Sequence, residues 1–196
     1  GWTDVVLLER KQLTCGTTWH AAGLIAQLRA TQNMTRLAKY SQELYFSLED
    51  ETGVATGIKR NGSITVALTD ERMEELRRSA AMARAFGVEI DEISPDEISR
   101  HYPGLNVEDA IGGVWLPKDG QADPVNITQA LAKGARMRGA RIIQGVKVTG
   151  ILQEGGKAVG VETEDGVIRS EFVVNCGGMW ARDIGAMAGV SVPLHA

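Results

Sequence analysis

Only two cysteines, Cys15 and Cys176, stand in a chain of 196 residues, too few for a disulfide framework. Their scarcity makes a reducing compartment the default, and both are expected as small core residues rather than as a redox pair. No apolar run is long enough to span a bilayer, and no signal-peptide pattern opens the chain. Basic residues are not in excess: 21 Lys and Arg face 25 Asp and Glu, a formal net charge of -4. That balance argues against a general binder of nucleic acid or anionic membrane. The three histidines, His20, His101 and His195, have no metal-ligand spacing, so a zinc site is not expected. There is no G-x-S-x-G elbow for a Ser-His-Asp hydrolase, and no G-x-G-x-x-G phosphate loop. Repeats, linkers and low-complexity tracts are also missing. Charged and apolar fractions are ordinary for a globular protein of one large or two small domains.

What is present reads as an α/β chain with an α+β insertion. Val5 to Leu8 is a short β-branched run, expected as a strand buried on both faces and ending at Glu9-Arg10. A loop over residues 11–23 is rich in Thr and Gly. A helix is expected over 34–51, with Met34, Leu37, Ala38, Leu44, Tyr45 and Leu48 on one stripe and Gly53 as its stop. Asn61-Gly62 is a turn before a strand over 63–68, and a charged helix over 70–86 closes at Gly87. Ser94-Pro95-Asp96-Glu97 is a capping box with Pro at the first helical position. Further strands are expected over 112–116, 141–144, 147–152, 158–164 and 167–174, the last running on through Asn175-Cys176. Helices are expected from Asp123-Pro124 to Gly139 and over 180–188. The ends, Gly1-Trp2-Thr3-Asp4 and 192–196, the latter where another strand would start, suggest an internal segment of a longer chain. The pattern is a nucleotide-binding domain interrupted by another, with boundaries at 1–53, 54–122 and 123–196.

Several residues carry possible chemistry. Glu9 ends a strand, where a carboxylate accepts the hydroxyls of a bound ribose, although a solvated Glu looks the same in sequence. Arg10 is either a cation at the edge of a cofactor or plain surface. The stretch Gly16-Thr17-Thr18-Trp19-His20-Ala21-Ala22-Gly23 surrounds one aromatic and one imidazole with small residues, which let backbone N–H groups approach a ligand closely. A simple Gly/Thr turn is the plainer alternative. His20 is either a packed histidine or a nucleophile. Cys176-Gly177-Gly178 before a helix is either a cofactor contact or a flexible strand-to-helix turn.

The runs Leu8-Glu9-Arg10, Leu13-Thr14-Cys15-Gly16-Thr17-Thr18-Trp19-His20-Ala21-Ala22-Gly23-Leu24 and Val173-Val174-Asn175-Cys176-Gly177-Gly178-Met179-Trp180-Ala181 closely resemble the sarcosine and dimethylglycine dehydrogenase family. The likeness continues at Glu51-Thr52-Gly53, Tyr102-Pro103, Asp119-Gly120, Asp123-Pro124 and Met187-Ala188-Gly189-Val190. The resemblance implies a D-amino-acid-oxidase-like fold: an incomplete Rossmann-like FAD-binding domain interleaved with an antiparallel-sheet substrate domain. It implies that Glu9 and Arg10 meet the adenosine ribose, that Gly16, Thr17, Thr18, Trp19, His20, Ala21, Ala22, Gly23 and Leu24 bind flavin, and that His20 bonds covalently to FAD. Val148 matches an adenine contact and Trp180 a flavin contact, with Cys176 and Gly177 as further cofactor candidates. The implied reaction is hydride transfer from an N-methyl amine to flavin, giving an iminium and then formaldehyde or a folate-bound one-carbon unit. An electron-transfer flavoprotein is the implied acceptor, tetrahydrofolate a further ligand of a longer chain, and the bacterial cytoplasm or mitochondrial matrix the implied location. Two other readings remain: an amino-acid or glycerol-3-phosphate-type oxidoreductase with non-covalent FAD, and a non-catalytic FAD- or folate-binding module.

Overall fold

The computed structural model describes Trp2 and residues 4–194; expectations placed on Gly1, Thr3, His195 and Ala196 lie outside the described residues. The first elements are β1 (Val6–Glu9), β2 (Leu24–Ile25), α1 (Gln32–Thr52), β3 (Ser63–Ala67) and α2 (Asp70–Ala85). There follow β4 (Asp91–Ile93), α3 (Pro95–His101), β5 (Gly112–Leu116), β6 (Gly120–Gln121) and α4 (Pro124–Met137). The last are β7 (Arg141–Gln144), β8 (Val148–Glu154), β9 (Lys157–Thr163), β10 (Gly166–Arg169) and α5 (Ala181–Met187). The chain forms two compact units, one of residues 17–134 and one of residues 1–16 with 135–196.

The unit of residues 17–134 is built on an antiparallel sheet of order β3-β5-β4, with a short β2-β6 pair. One face of that sheet takes α2, whose Met73, Leu76, Ala80 and Ala83 join Ala67, Val114 and Leu116 in a core. Spacings of three and four residues put these side chains on one helical stripe. Thr69 caps α2 by accepting from the Arg72 N–H, and the Ser94–Glu97 capping box starts α3 as the sequence requires. A second core joins Leu48 of α1 to Ile127 and Ala130 of α4. Helix α1 stops at Gly53, whose φ of 66° is left-handed and accessible to glycine at little cost.

In the other unit β1 lies parallel to β7, with Glu9 opposite Gln144, and β8, β9 and β10 form an antiparallel meander. Four expectations need correction. Strand β1 is not buried on both faces: Leu7 is 44% exposed, because β7 is its single paired neighbour among the described residues. Residues 172–176 have a strand-like composition but no partner strand among the described residues, so they form no ladder there, and Phe172 and Val174 are exposed. Cys15 and Cys176 are not core residues. Both are exposed free thiols, one in a turn and the other in that unpaired segment. Finally, residues 191–194 form no strand.

The α1 stripe is buried over only half its length. Leu44, Tyr45 and Leu48 pack inward, whereas Met34 is 52% and Leu37 57% exposed. No described helix is long and apolar enough to cross a membrane.

Candidate functional site

In the unit of residues 1–16 and 135–196, the carboxyl ends of β1 and β7 hold the first candidates. Parallel pairing sets Glu9 beside Gln144, and both side chains fasten the loop that follows β1. Glu9 Oε1 accepts from the Lys11 N–H at 2.9 Å, and Gln144 Oε1 accepts from the Leu13 N–H at 2.6 Å. The Glu9 carbonyl accepts from the Val146 N–H at 3.1 Å, which ties the turn leading to Val148 to the same strand end. Glu9 is half-buried, and its Oε2 has no partner among the described residues, so one carboxylate oxygen remains able to accept hydroxyls. The Arg10 guanidinium sits over the Trp180 ring, 4.2 Å from its centroid, as a cation over an aromatic face. Val148 opens β8 opposite Thr163.

Cys176 and Gly177 lie in a turn held by Asn175. The Asn175 Oδ1 accepts from the Gly177 N–H at 3.0 Å, and its Nδ2 donates to the Ala181 carbonyl at 2.9 Å. A Cβ on Gly177 would lie 2.4 Å from Ile184 Cδ1, so a larger residue here would make that side chain shift within its packing onto α5. Thr14 adopts φ 76° in the loop after β1, a left-handed conformation that is strained for a β-branched residue.

In the unit of residues 17–134, Thr18, Trp19 and His20 form a single 3-10 turn rather than open loop. The Trp19 and His20 rings lie 3.8 Å apart between centroids with a 31° tilt. Both are exposed, and the imidazole has no hydrogen-bond partner among the described residues, so its ring nitrogens are available for chemistry. Ala21, Ala22 and Gly23 lead into Leu24 of β2. Gly23, at φ 77°, is required by its own chain: a Cβ there would collide with the Ala122 carbonyl oxygen, 2.1 Å away. Gly16, by contrast, has nothing within 4 Å of where a Cβ would stand.

A groove in this unit was not foreseen from sequence. It has a volume of about 320 Å3 and runs between β2 and the exposed half of α1, with Leu24, Ile25, Met34, Leu37 and Arg29 among its walls. Its floor is polar but satisfied. The Gln42 Oε1 accepts from Gln27 Nε2 at 2.6 Å, and Gln42 Nε2 donates to the Lys118 carbonyl at 2.8 Å. Buried Asp119 accepts from the Gln27 N–H at 2.9 Å and from the Ser63 hydroxyl at 2.7 Å. The signal that could have revealed the groove is the apolar stripe of α1 running past the residues that α4 covers.

These features define a class: a mixture of helices with antiparallel and parallel strands, bearing a half-buried carboxylate at the end of a parallel strand. The chain belongs to the DAO family of FAD dependent oxidoreductases, whose family model matches residues 1–196. It is 42% identical over 202 aligned positions to the mitochondrial sarcosine dehydrogenase of Homo sapiens, which covers all of this chain and 22% of that protein. The mitochondrial dimethylglycine dehydrogenase of Rattus norvegicus is 38% identical over 99% of this chain and 23% of its own length. The mitochondrial pyruvate dehydrogenase phosphatase regulatory subunit of Mus musculus is 37% identical over all of the chain and 23% of its own length. The chain thus spans less than a quarter of these relatives. Among solved structures, an L-proline dehydrogenase from P. horikoshii superposes with a TM-score of 0.90 at 32% identity, covering 95% of this chain and 50% of that one.

The residues present fit part of a dinucleotide. Glu9 offers a free acceptor, and Arg10 with Trp180 offers a cation and a flat apolar ring. No G-x-G-x-x-G stretch for the phosphates occurs in these 196 residues.

Proposed function

We propose that this chain is part of an FAD-dependent oxidoreductase that oxidises N-methyl amino acids of the sarcosine and dimethylglycine type. The observation that carries the reading is the 42% identity to sarcosine dehydrogenase over the whole chain. In this reading residues 1–53 and 123–196 belong to the FAD-binding domain and residues 54–122 to the substrate domain; the β3-β5-β4 sheet, wholly inside 54–122, supports that division.

The chain's own residues have separate tasks. The Glu9 carboxylate accepts ribose hydroxyls, Arg10 and Trp180 flank the cofactor, and Val148, Cys176 and Gly177 supply backbone contacts. Gly16, Thr17, Thr18, Trp19, Ala21, Ala22, Gly23 and Leu24 surround the flavin, and a ring nitrogen of His20 is the point of covalent attachment. Small side chains there let backbone N–H groups come close, and the two threonine hydroxyls add donors. When bound, FAD supplies the two-electron acceptor for oxidation of the N-methyl carbon. The resulting iminium hydrolyses to formaldehyde or passes its carbon to tetrahydrofolate. An electron-transfer flavoprotein is the proposed acceptor, and the bacterial cytoplasm or the mitochondrial matrix the proposed location.

The test is His20→Ala in the full-length protein. Acid precipitation should leave the yellow colour with the native protein and release all of it from the variant, with slower flavin reduction by sarcosine. Colour that stays with the precipitated variant would remove His20 as the attachment site. The 37% identity to a phosphatase regulatory subunit supports a second reading, a non-catalytic FAD- or folate-binding module. Flavin bound to the native protein without any oxidation of sarcosine or dimethylglycine would favour that module.

A further inference from the structure

Among the described residues, one non-glycine residue has a left-handed backbone, and it lies in the loop that leaves β1: Thr14, at φ 76°. A β-branched side chain crowds its own backbone there, so a chain free to relax would return Thr14 to negative φ. Such a conformation persists only where surrounding groups hold it, and residues held this way cluster at binding and active sites.

The groups that hold it come from the ends of two parallel strands. Lys11 is pinned at both backbone groups: its N–H donates to Glu9 Oε1 at 2.9 Å, and its carbonyl accepts from the Gly145 N–H at 2.8 Å. The Cys15 N–H closes a turn onto the Gln12 carbonyl at 3.2 Å. Directly before Thr14, the Leu13 N–H donates to Gln144 Oε1 at 2.6 Å, a tie across 131 positions of sequence. Gln144 is thus the side chain of β7 that braces the strained residue through its neighbour. Without that brace, relaxation of Thr14 would run back to Lys11, whose N–H occupies Glu9 Oε1. It would also reach Arg10, whose guanidinium sits 4.2 Å from the Trp180 ring centroid.

We propose that Gln144 is a positioning residue for the nucleotide end of FAD. It holds Thr14 in its left-handed conformation, and through that loop it keeps Glu9 and Arg10 placed for the adenosine ribose. This role rests on the one proposed above for Glu9 and Arg10, and deepens it with a residue that acts through the loop rather than on the cofactor. A glutamine suits the task because its carboxamide oxygen accepts the Leu13 N–H without setting a second negative charge opposite Glu9.

ADP-ribose carries the adenosine ribose without the flavin, so it reports on this end of the site alone. Titrated calorimetrically into full-length protein produced without flavin, it should bind Gln144→Ala about tenfold more weakly than the native protein. Gln144 is exposed, so its truncation should leave the fold intact. Thr14→Gly, able to take positive φ without a side-chain clash, should bind ADP-ribose at least as well as the native protein. The decisive variant carries both changes: Gln144→Ala with Thr14→Gly should regain most of the affinity, because glycine no longer needs the brace. Amide exchange at Leu13 should be fast in both variants that lack Gln144, so the rescue does not come from a substitute hydrogen bond. Equal affinity in native and Gln144→Ala proteins would overturn the positioning role. So would a loss that Thr14→Gly fails to repair, since Gln144 would then act by another route. If the native protein binds ADP-ribose but its bound FAD is reduced by neither sarcosine nor dimethylglycine, the proposed reaction fails and the positioning role stands. A native protein that binds no ADP-ribose would end both the positioning role and the ribose role of Glu9.

Discussion

Leu76 and Leu7 are the same residue in two situations. On α2, Leu76 is 5% exposed within the core over the β3-β5-β4 sheet; on β1, Leu7 is 44% exposed. Both belong to well-formed elements, so the difference is not one of local propensity. A three-stranded sheet with a helix on one face encloses side chains from several directions. A two-stranded parallel pair leaves both of its faces open unless other elements cover them. The unit of residues 17–134 therefore gathers a core of its own, while Leu7, Ile143, Phe172 and Val174 of the other unit stay at the surface. Such surfaces are where a flat cofactor or covering chain finds apolar area. The exposed half of α1 shows the same contrast within a single helix.

The sharpest way to break this comparison is to truncate both leucines. Leu76→Ala should cost about 2–5 kcal/mol in denaturant unfolding, and Leu7→Ala about 1 kcal/mol or less. Equal losses would mean that Leu7 is covered in the intact protein, and the contrast would dissolve. Next in size is Asp119→Ala, which leaves the Gln27 N–H and the Ser63 hydroxyl without their acceptor; about 1–3 kcal/mol is expected for each donor left bare. Asp119→Asn, able to accept from one donor and donate to the Ser63 oxygen, should recover most of it. A variant with native stability would show that the buried network under the groove contributes nothing to this unit.

The smallest effect concerns Glu97. Hydrogen bonding from the Ser94 backbone N–H, then from the Ser94 hydroxyl, holds its carboxyl below the usual Glu value, with smaller help from Arg100 and His101 against a slight desolvation. A carboxylate with a lowered folded-state pKa adds stability that is present above its unfolded value and lost as pH falls through the folded one. Glu97→Gln should therefore loosen the first turn of α3 at neutral pH, seen as faster amide exchange there. The native and variant proteins should converge as the solution is acidified below the ordinary Glu range. A difference that persists unchanged in acid would show that the carboxylate charge has no part in the cap.

Much of the fold is legible in the residues. The capping box at Ser94–Glu97, the stop at Gly53 and the strand over 112–116 follow from side-chain chemistry within a few positions, and the structure contains each. The chain's family is legible too, because the run through Trp19 and His20 is rare and contiguous. Strand pairing is less so. The segment 172–176 has the composition of a strand, but a strand exists only beside a partner, and composition says nothing of that partner. Residues 18–20 looked like loop because a 3-10 turn of three residues leaves no periodicity to read.

By itself, then, the sequence determined the local elements, the flavoprotein family and the short list of polar residues able to meet a nucleotide. These depend on chemistry at fixed spacing along the chain. Only the tertiary structure decided that Glu9 keeps one oxygen free, that Arg10 lies over Trp180, and that both cysteines face solvent. It likewise decided that the apolar stripe of α1 is half uncovered and borders a groove. The reason is physical: burial and partnership depend on what arrives from distant parts of the chain, as Asp119 meets Gln27 across 92 residues.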